Sequence, residues 1–582
     1  MSSTPVSSSS SVTATEPERD VESQTFRRLP SHFKLLLDQA GVTPEVQNWR
    51  YKGKGTEDEP FIVDFLEHDP QNPMKFPQWK KWSITVLQAI AVLAVAFVST
   101  AFSGGISEVI KEFEVKQIIA ILGISLFVTG FAVGPLLWAP LSELFGRQIL
   151  FFGTYMALTA FNAGAAAAPN IQTLIILRFF AGTFGSSPMT NAGGVIADMF
   201  SASERGMATA VFATAPFLGP SIGPIAGGFL GEVSWRWVEG LMACFTGVVW
   251  IVVSLYVPET YTPVILRKRA DKLSKITGKV YISKLDAGRP RKSISQEFKV
   301  ALTRPWILLF REPIVMLTSL YMAIVYGTLY MMFAAFPIVF QQLRGWSPGV
   351  GGLAFLGVAV GMMFAVGYSM FANKRYAAVS QARGGHAAPE ERLPSAMIGS
   401  VLLPIGLFWF AWTNGLNIHW IVPIIASGFF GAGLVLVFLS LLNYLIDSYV
   451  IYAASVLAAN SVLRSLFGAA FPLFTTNMYQ NLGIHWASSI PAFLALACLP
   501  FPFFFYKFGD KIRARCKFAA EAAEVLARFR QSADEDVVVI DDEKEPAQET
   551  VRGVLSDTST VSSMVGTVEP TTQVSEVKKE QQ

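Results

Sequence analysis

The chain has 582 residues, 52% of them hydrophobic and 15% charged, against roughly 25% charged in an ordinary globular chain. From Trp82 to Tyr256, 175 residues, only 14 are Asp, Glu, Lys or Arg, 8%, too few to cover the surface of a water-soluble domain. With a net charge of +3, these figures exclude a disulfide-rich secreted protein, a basic nucleic-acid binder and a disordered scaffold, and leave a polytopic membrane protein.

Residues 1–20 are rich in Ser, Thr and Glu, and 1–82 is expected to be a largely disordered tail. The first apolar run starts only at 83, too late for a signal peptide. A bilayer core needs roughly 20 apolar residues per helix. Such runs lie near 83–103, 118–140, 149–168, 172–195, 208–230 and 238–257. After a hydrophilic stretch they resume near 314–341, 350–371, 395–413, 419–442, 450–474 and 485–506. The predicted fold is all-α and membrane-spanning, with twelve transmembrane helices in two six-helix bundles, 83–257 and 314–507. A loop, 258–313, joins them, and 508–582 is a mostly disordered tail, acidic from Asp534 to Glu545.

Lysine and arginine set the orientation. The central loop holds 13 Lys and Arg against 5 Asp and Glu. Arg147, Arg205, Lys374, Arg375, Arg383 and Arg392 fall in connections on the same side, as do Lys507, Lys511, Arg513, Arg515 and Lys517 after the last run. Both termini and the central loop are therefore expected in the cytosol. Six plus six spans around a long middle loop is the pattern of a duplicated transporter. No GxxxxGK[ST] segment is present, so no ATP is expected to drive it. The five histidines, His32, His68, His386, His419 and His485, are not clustered, and Cys244, Cys498 and Cys516 have no metal-binding spacing. No enzyme activity, cofactor, metal or nucleic-acid partner is expected.

Several segments carry chemistry. Gly134 to Arg147 closes the second span, with Glu143 and Arg147 four apart. Their candidate partners are each other, Asp198 or Arg205, as a charge latch that breaks in one conformation; ordinary capping is the alternative. Arg178 lies in the fourth apolar run, where an ionisable group faces the bundle interior or snorkels outward. In the fifth run Gly219, Gly223 and Gly227 form a bare ridge, interrupted by Pro220 and Pro224 and followed by Gly228. That pattern suits close packing or a gating helix. In the second half Asp447 and Arg464 are the charges near membrane depth, with Asn443 close by. Tyr326, Tyr330, Phe333 and Phe336 recur at helical spacing in the seventh run and either line a substrate cavity or pack.

Taken in order, these segments resemble the major facilitator superfamily, specifically the fungal twelve-span drug:proton antiporters. The resemblance rests on Asn72-Pro73 to Trp82, Pro140 to Arg147, Arg178 with Gly182 and Gly185, and Gly219 to Gly228. Trp235-Arg236-Trp237, Pro258-Glu259-Thr260-Tyr261, Asp447 to Ser455, and Arg464 with Pro472 extend it, so that it covers about 68–510. It implies a central cavity with rocker-switch alternating access and proton-driven export at the plasma membrane by a monomer. It maps an assisting role in proton exchange to Arg178 and an antiporter signature to the fifth span. Two departures stand out: Glu143 where many relatives carry Asp, and Gln148 where they carry a basic residue. No carboxylate lies between 83 and 103, which leaves the proton-carrying group unassigned. The expected function is proton-coupled efflux of hydrophobic or amphipathic compounds. The alternatives are export of one endogenous metabolite (a toxin, siderophore or polyamine) and a transporter-like sensor.

Overall fold

A computed structural model describes residues 31–288, 294–383 and 387–525. Residues 1–20, the acidic stretch from Asp534 and His386 lie outside the described residues. The segment from Glu521 is a separate unit, described only over 521–525, which are helical.

Among the described residues, ten helical stretches are long and apolar enough to cross a bilayer, and they resolve into twelve spans once two features are read. The last stretch, Val450–Arg515, is two spans, because Gly483 at φ 72° breaks Ala453–Cys498. The fourth span, Ile171–Met199, is the other addition. Its apolar character is diluted by Arg178, Thr183, Ser186, Ser187 and Asn191, all buried. A helix with such residues survives in a membrane only inside the bundle.

The first bundle comprises Gln78–Ala101, Gln117–Phe145, Arg147–Ala166, Ile171–Met199, Ala202–Gly231 and Trp235–Tyr256. In the second, Pro313–Phe336 runs on into a π-helical turn, Pro337–Leu343. Pro348–Leu353 with Phe355–Ala382, Leu393–Thr413 and Ile421–Ser448 follow, and then the eleventh and twelfth spans, the latter ending in Pro500–Arg515. Local chemistry sets the boundaries. Asn170 caps the fourth span by accepting the Thr173 N–H at 2.8 Å. Gly146, at φ 101°, separates the second span from the third, and a Cβ there would strike the Glu259 carboxylate.

Residues 31–77 correct one expectation. They are folded, not a disordered tail. Phe61–Val63 pairs in parallel with Tyr281–Ser283 of the central connection. Val46, Tyr51 and Val63 share a small core with Leu266, Ala270 and Leu273 of the helix Thr262–Thr277. Arg269 pairs with Asp69 out of contact with solvent and also donates to the Ala40 carbonyl at 3.0 Å. The Tyr51 hydroxyl donates to the Val46 carbonyl at 2.8 Å, and burial pushes its phenol up to about 12. We call the face carrying this layer the terminal face and the opposite one the far face.

A candidate transport site built from a buried ion pair, a proline-glycine seam and two charge latches

Arg178 and Glu239 form an ion pair of 2.9 Å, and both side chains are 0% exposed. The Arg178 Nε donates to the Gly123 carbonyl of the second span at 2.8 Å. Its Nη2 donates to the Val98 carbonyl at 3.1 Å, in the last turn of the first span, where carbonyls lose their helical partners. Phe102 and Phe127 flank the guanidinium at 4.5 and 5.0 Å. The arginine thus ties together spans one, two, four and six. Glu239 uses only Oε1. Its Oε2 is buried without a hydrogen-bond partner among the described residues.

The fifth span is wedged between the first and the eighth. A Cβ at Gly219, Gly223 or Gly227 would meet the first-span backbone between Leu93 and Ala101. On its other side Gly228 lies against Pro348 and Gly349, and Gly352 lies against Pro224 and Ile225. Pro224 has no N–H, so the Pro220 carbonyl loses its helical donor. The Thr100 hydroxyl stands in, 3.2 Å from that oxygen. At the far face Glu232 caps the eighth span, accepting the Gly349 N–H at 2.8 Å. The hydrogen bonds from Gly349 and Ser347 hold its carboxyl below the usual range.

Two arginine-aspartate latches sit on the terminal face. The Arg147 Nε donates to Asp198 Oδ2 at 3.3 Å, and its Nη1 to Ser142 Oγ at 2.8 Å. Glu259, in turn, accepts the backbone N–H groups of Arg147 and Gln148 at 2.9 and 3.2 Å, capping the third span. Among the candidate partners of Arg147, the structure therefore selects Asp198. Glu143 lies exposed at the same corner, and Arg205 donates to the Ala197 carbonyl at 3.4 Å. In the second bundle the Arg392 Nε donates to Asp447 Oδ2 at 2.9 Å, and the Tyr376 hydroxyl donates to the same oxygen at 3.0 Å. Each latch joins the start of its bundle's third helix to the penultimate residue of its fourth.

Next to the second latch is a cavity of about 340 Å³, walled by Arg205 and Phe212 of the fifth span and by Tyr376, Arg392, Asn443 and Asp447. The structure brings Asn443 to this wall but not the aromatic stripe. Phe333 and Phe336 stack on Phe355, and Phe336 also on Phe410, inside the second bundle. Of the two alternatives, cavity lining or packing, the structure shows packing: the seventh span is mostly buried, and the stripe on it meets neighbouring helices. Tyr330 lies between the bundles, with its hydroxyl 2.8 Å from that of Ser99 in the first span. Tyr326 carries Arg464 on its ring at 4.8 Å, and Phe438 flanks that guanidinium at 5.4 Å.

Residues 88–472 match the family model described as Major Facilitator Superfamily. The chain belongs to this superfamily. It is 65% identical over 502 residues to the MFS-type efflux pump MFS2 of Trichophyton rubrum, covering 86% of this chain and 84% of that one. It is 58% identical over 551 residues to the major facilitator superfamily multidrug transporter mdrA of Aspergillus fumigatus, covering 94% and 91%. Among solved structures, the proton:xylose symporter XylE matches with a TM-score of 0.54 at 16% identity, over 74% of this chain and 96% of that one. That likeness is one of fold.

Within this major facilitator fold, the sequence reading passed over Glu239, Glu232 and Thr100. Glu239 had a visible signal. It is a carboxylate at the second position of the apolar run 238–257, near the same end of its run as the arginine already singled out. Thr100 and Glu232 had none, since each acts on a helix that only the fold brings near.

Proposed function

We propose that the protein exports amphipathic small molecules in exchange for protons, and that Glu239 is the proton-carrying carboxylate. The observation that carries this reading is the fully buried Arg178–Glu239 pair with one carboxylate oxygen unpartnered. A buried carboxylate with a free oxygen is equipped to accept a proton, and protonation discharges the pair. Arg178 would then keep only its two carbonyl partners, on Gly123 and Val98. The residues after Val98 face the rest of the machinery, Ser99 touching Tyr330 of the second bundle and Thr100 touching the fifth span. Arg178 is thus a positioning residue as well as a counter-ion. The Gly219–Gly228 segment acts as the gate, closed at the far face on the eighth span, while substrate enters the terminal-face cavity.

The lysine and arginine bias supports placing the terminal face, and with it both termini, in the cytosol. We assign the protein to the plasma membrane as a monomer, with 83–257 and 314–507 as its moving bundles. The polar cavity wall favours substrates with hydrogen-bonding groups over purely hydrophobic ones. It also supports a narrower reading, a dedicated exporter of one endogenous metabolite.

The test is accumulation of rhodamine 6G in pump-deficient yeast, with and without a protonophore at constant ATP. The wild type should lower dye content, and the protonophore should erase the difference. The Arg178→Gln/Glu239→Gln double variant should reach the membrane yet export no dye. Protonophore-sensitive efflux by that variant would overturn the assignment of Glu239. No dye efflux by a well-expressed wild type would favour the narrower reading.

A further inference from the structure

The helix Ile294–Arg311 of the central connection exposes Val300, Leu302, Trp306, Ile307 and Phe310, the last at 68%. A helix with apolar side chains left open beside a membrane bundle belongs in the bilayer interface. It delivers Arg311 to the foot of the seventh span, facing the end of the twelfth. Between them is an open cavity of about 710 Å³ walled by Arg311, Lys511, Arg515 and Lys517, with Phe504 and Phe508 on its apolar side. All four cations are exposed, and no side-chain hydrogen bond or ion pair joins them to another side chain among the described residues. Arg513, on the same helix, shows the contrast. It is held by both oxygens of Glu390 at 2.8 and 3.0 Å. The carboxylate on the cavity wall, Glu312, is already engaged. It accepts from the Tyr449 hydroxyl at 2.8 Å and from the Phe518 N–H at 3.1 Å.

Four exposed cations around one open cavity make a local positive potential that draws an anion to it. We propose that the cavity binds the headgroup of an anionic phospholipid bearing a phosphate monoester, with its acyl chains running along Phe504 and Phe508. Both aromatics are exposed, and the neighbouring interfacial helix makes the cavity rim continuous with the apolar layer, an arrangement that suits a lipid better than a free phosphate. The bound headgroup would fasten the central connection to the feet of the seventh and twelfth spans. The orientation proposed above decides only which leaflet supplies the lipid.

The experiment uses the purified full chain in dodecyl maltoside, with binding read by the shift in thermal unfolding temperature. The probes are dioctanoyl phosphatidylinositol 4-phosphate, inositol 1,4-bisphosphate as the headgroup without chains, and inorganic phosphate. The lipid should raise the unfolding temperature of the wild type. Lys511→Gln/Arg515→Gln should weaken its binding about 30-fold, at about tenfold per 1.4 kcal/mol and about 1 kcal/mol for each lost cation. The exposed pair Lys75→Gln/Lys275→Gln, distant from the cavity, should bind as wild type does. Lipid-free unfolding temperatures should agree among the three proteins, which separates lost binding from misfolding. Equal lipid binding by the cavity variant overturns the site. Equal affinity for the headgroup without chains overturns the lipid as its occupant.

Discussion

Arg178 keeps its charge at any pH a cell reaches, whereas Glu239 can lose its charge by taking a proton. Deleting one partner of a buried pair costs about 3–5 kcal/mol when the other stays charged. Arg178→Ala leaves a glutamate that escapes this cost by protonation. Its expected phenotype is a protein present at the membrane at near-normal level with no efflux. Glu239→Gln leaves an arginine with no such escape, so it should be the less abundant of the two single variants. Adding Arg178→Gln to it should recover the level without recovering transport. Quantifying surface protein and dye efflux for the three variants decides this, and normal efflux by Arg178→Ala would sink the role of the pair. Arg178 was legible in the sequence because it interrupts a long apolar run. Glu239 was visible as a carboxylate in an apolar run but easily discounted at its edge, beside the aromatic and basic Trp235-Arg236-Trp237. That the two meet, 61 residues apart, is not encoded in any local periodicity.

Helices in lipid gain no hydrophobic driving force from meeting each other, so close backbone contact carries their association. The fifth span shows this on two sides. A Cβ at Gly227 would land on the Ala101 carbonyl, a backbone atom with nowhere to go, whereas one at Gly193 meets open space. Gly227→Ala should therefore lower the unfolding temperature and abolish most efflux, at an overpacking cost of about 1–3 kcal/mol. Gly193→Ala should leave both unchanged. Similar behaviour of the two variants in a detergent melt would contradict the wedge. The glycine spacing announced a bare helix face, but a face does not name its partner. The first span takes the ridge, and the eighth takes Gly228 and Pro224. The aromatic stripe of the seventh span shows the same limit. Spacing put Tyr326, Tyr330, Phe333 and Phe336 on one side, but a span apolar all round has no side that the sequence marks as cavity.

The two latches repeat one design in two bundles, which predicts how their mutations combine. Arg392→Gln and Asp447→Asn remove the same interaction, so their effects on unfolding should be non-additive by about 0.5–3 kcal/mol. Arg392→Gln and Asp198→Asn belong to different bundles and should add to within about 0.5 kcal/mol. Cross-bundle coupling as large as that within a latch would refute the picture of two separately held bundles. At this scale the sequence was informative, because every crossing demands its own apolar run and twelve runs could be counted. The layer built from residues 31–77 was illegible, since its elements are short and polar and its partner strand lies more than 200 residues away. That distance orders events in time. Tyr281–Ser283 leaves the ribosome after the sixth span and before the seventh, so the strand pair can close while the second bundle does not yet exist. At about 5–20 residues per second, the remaining spans need roughly 10–45 s more. A nascent chain halted near residue 330 should therefore already protect its amino-terminal segment from protease, and each newborn molecule would be sealed on one face well before it has a path to transport anything.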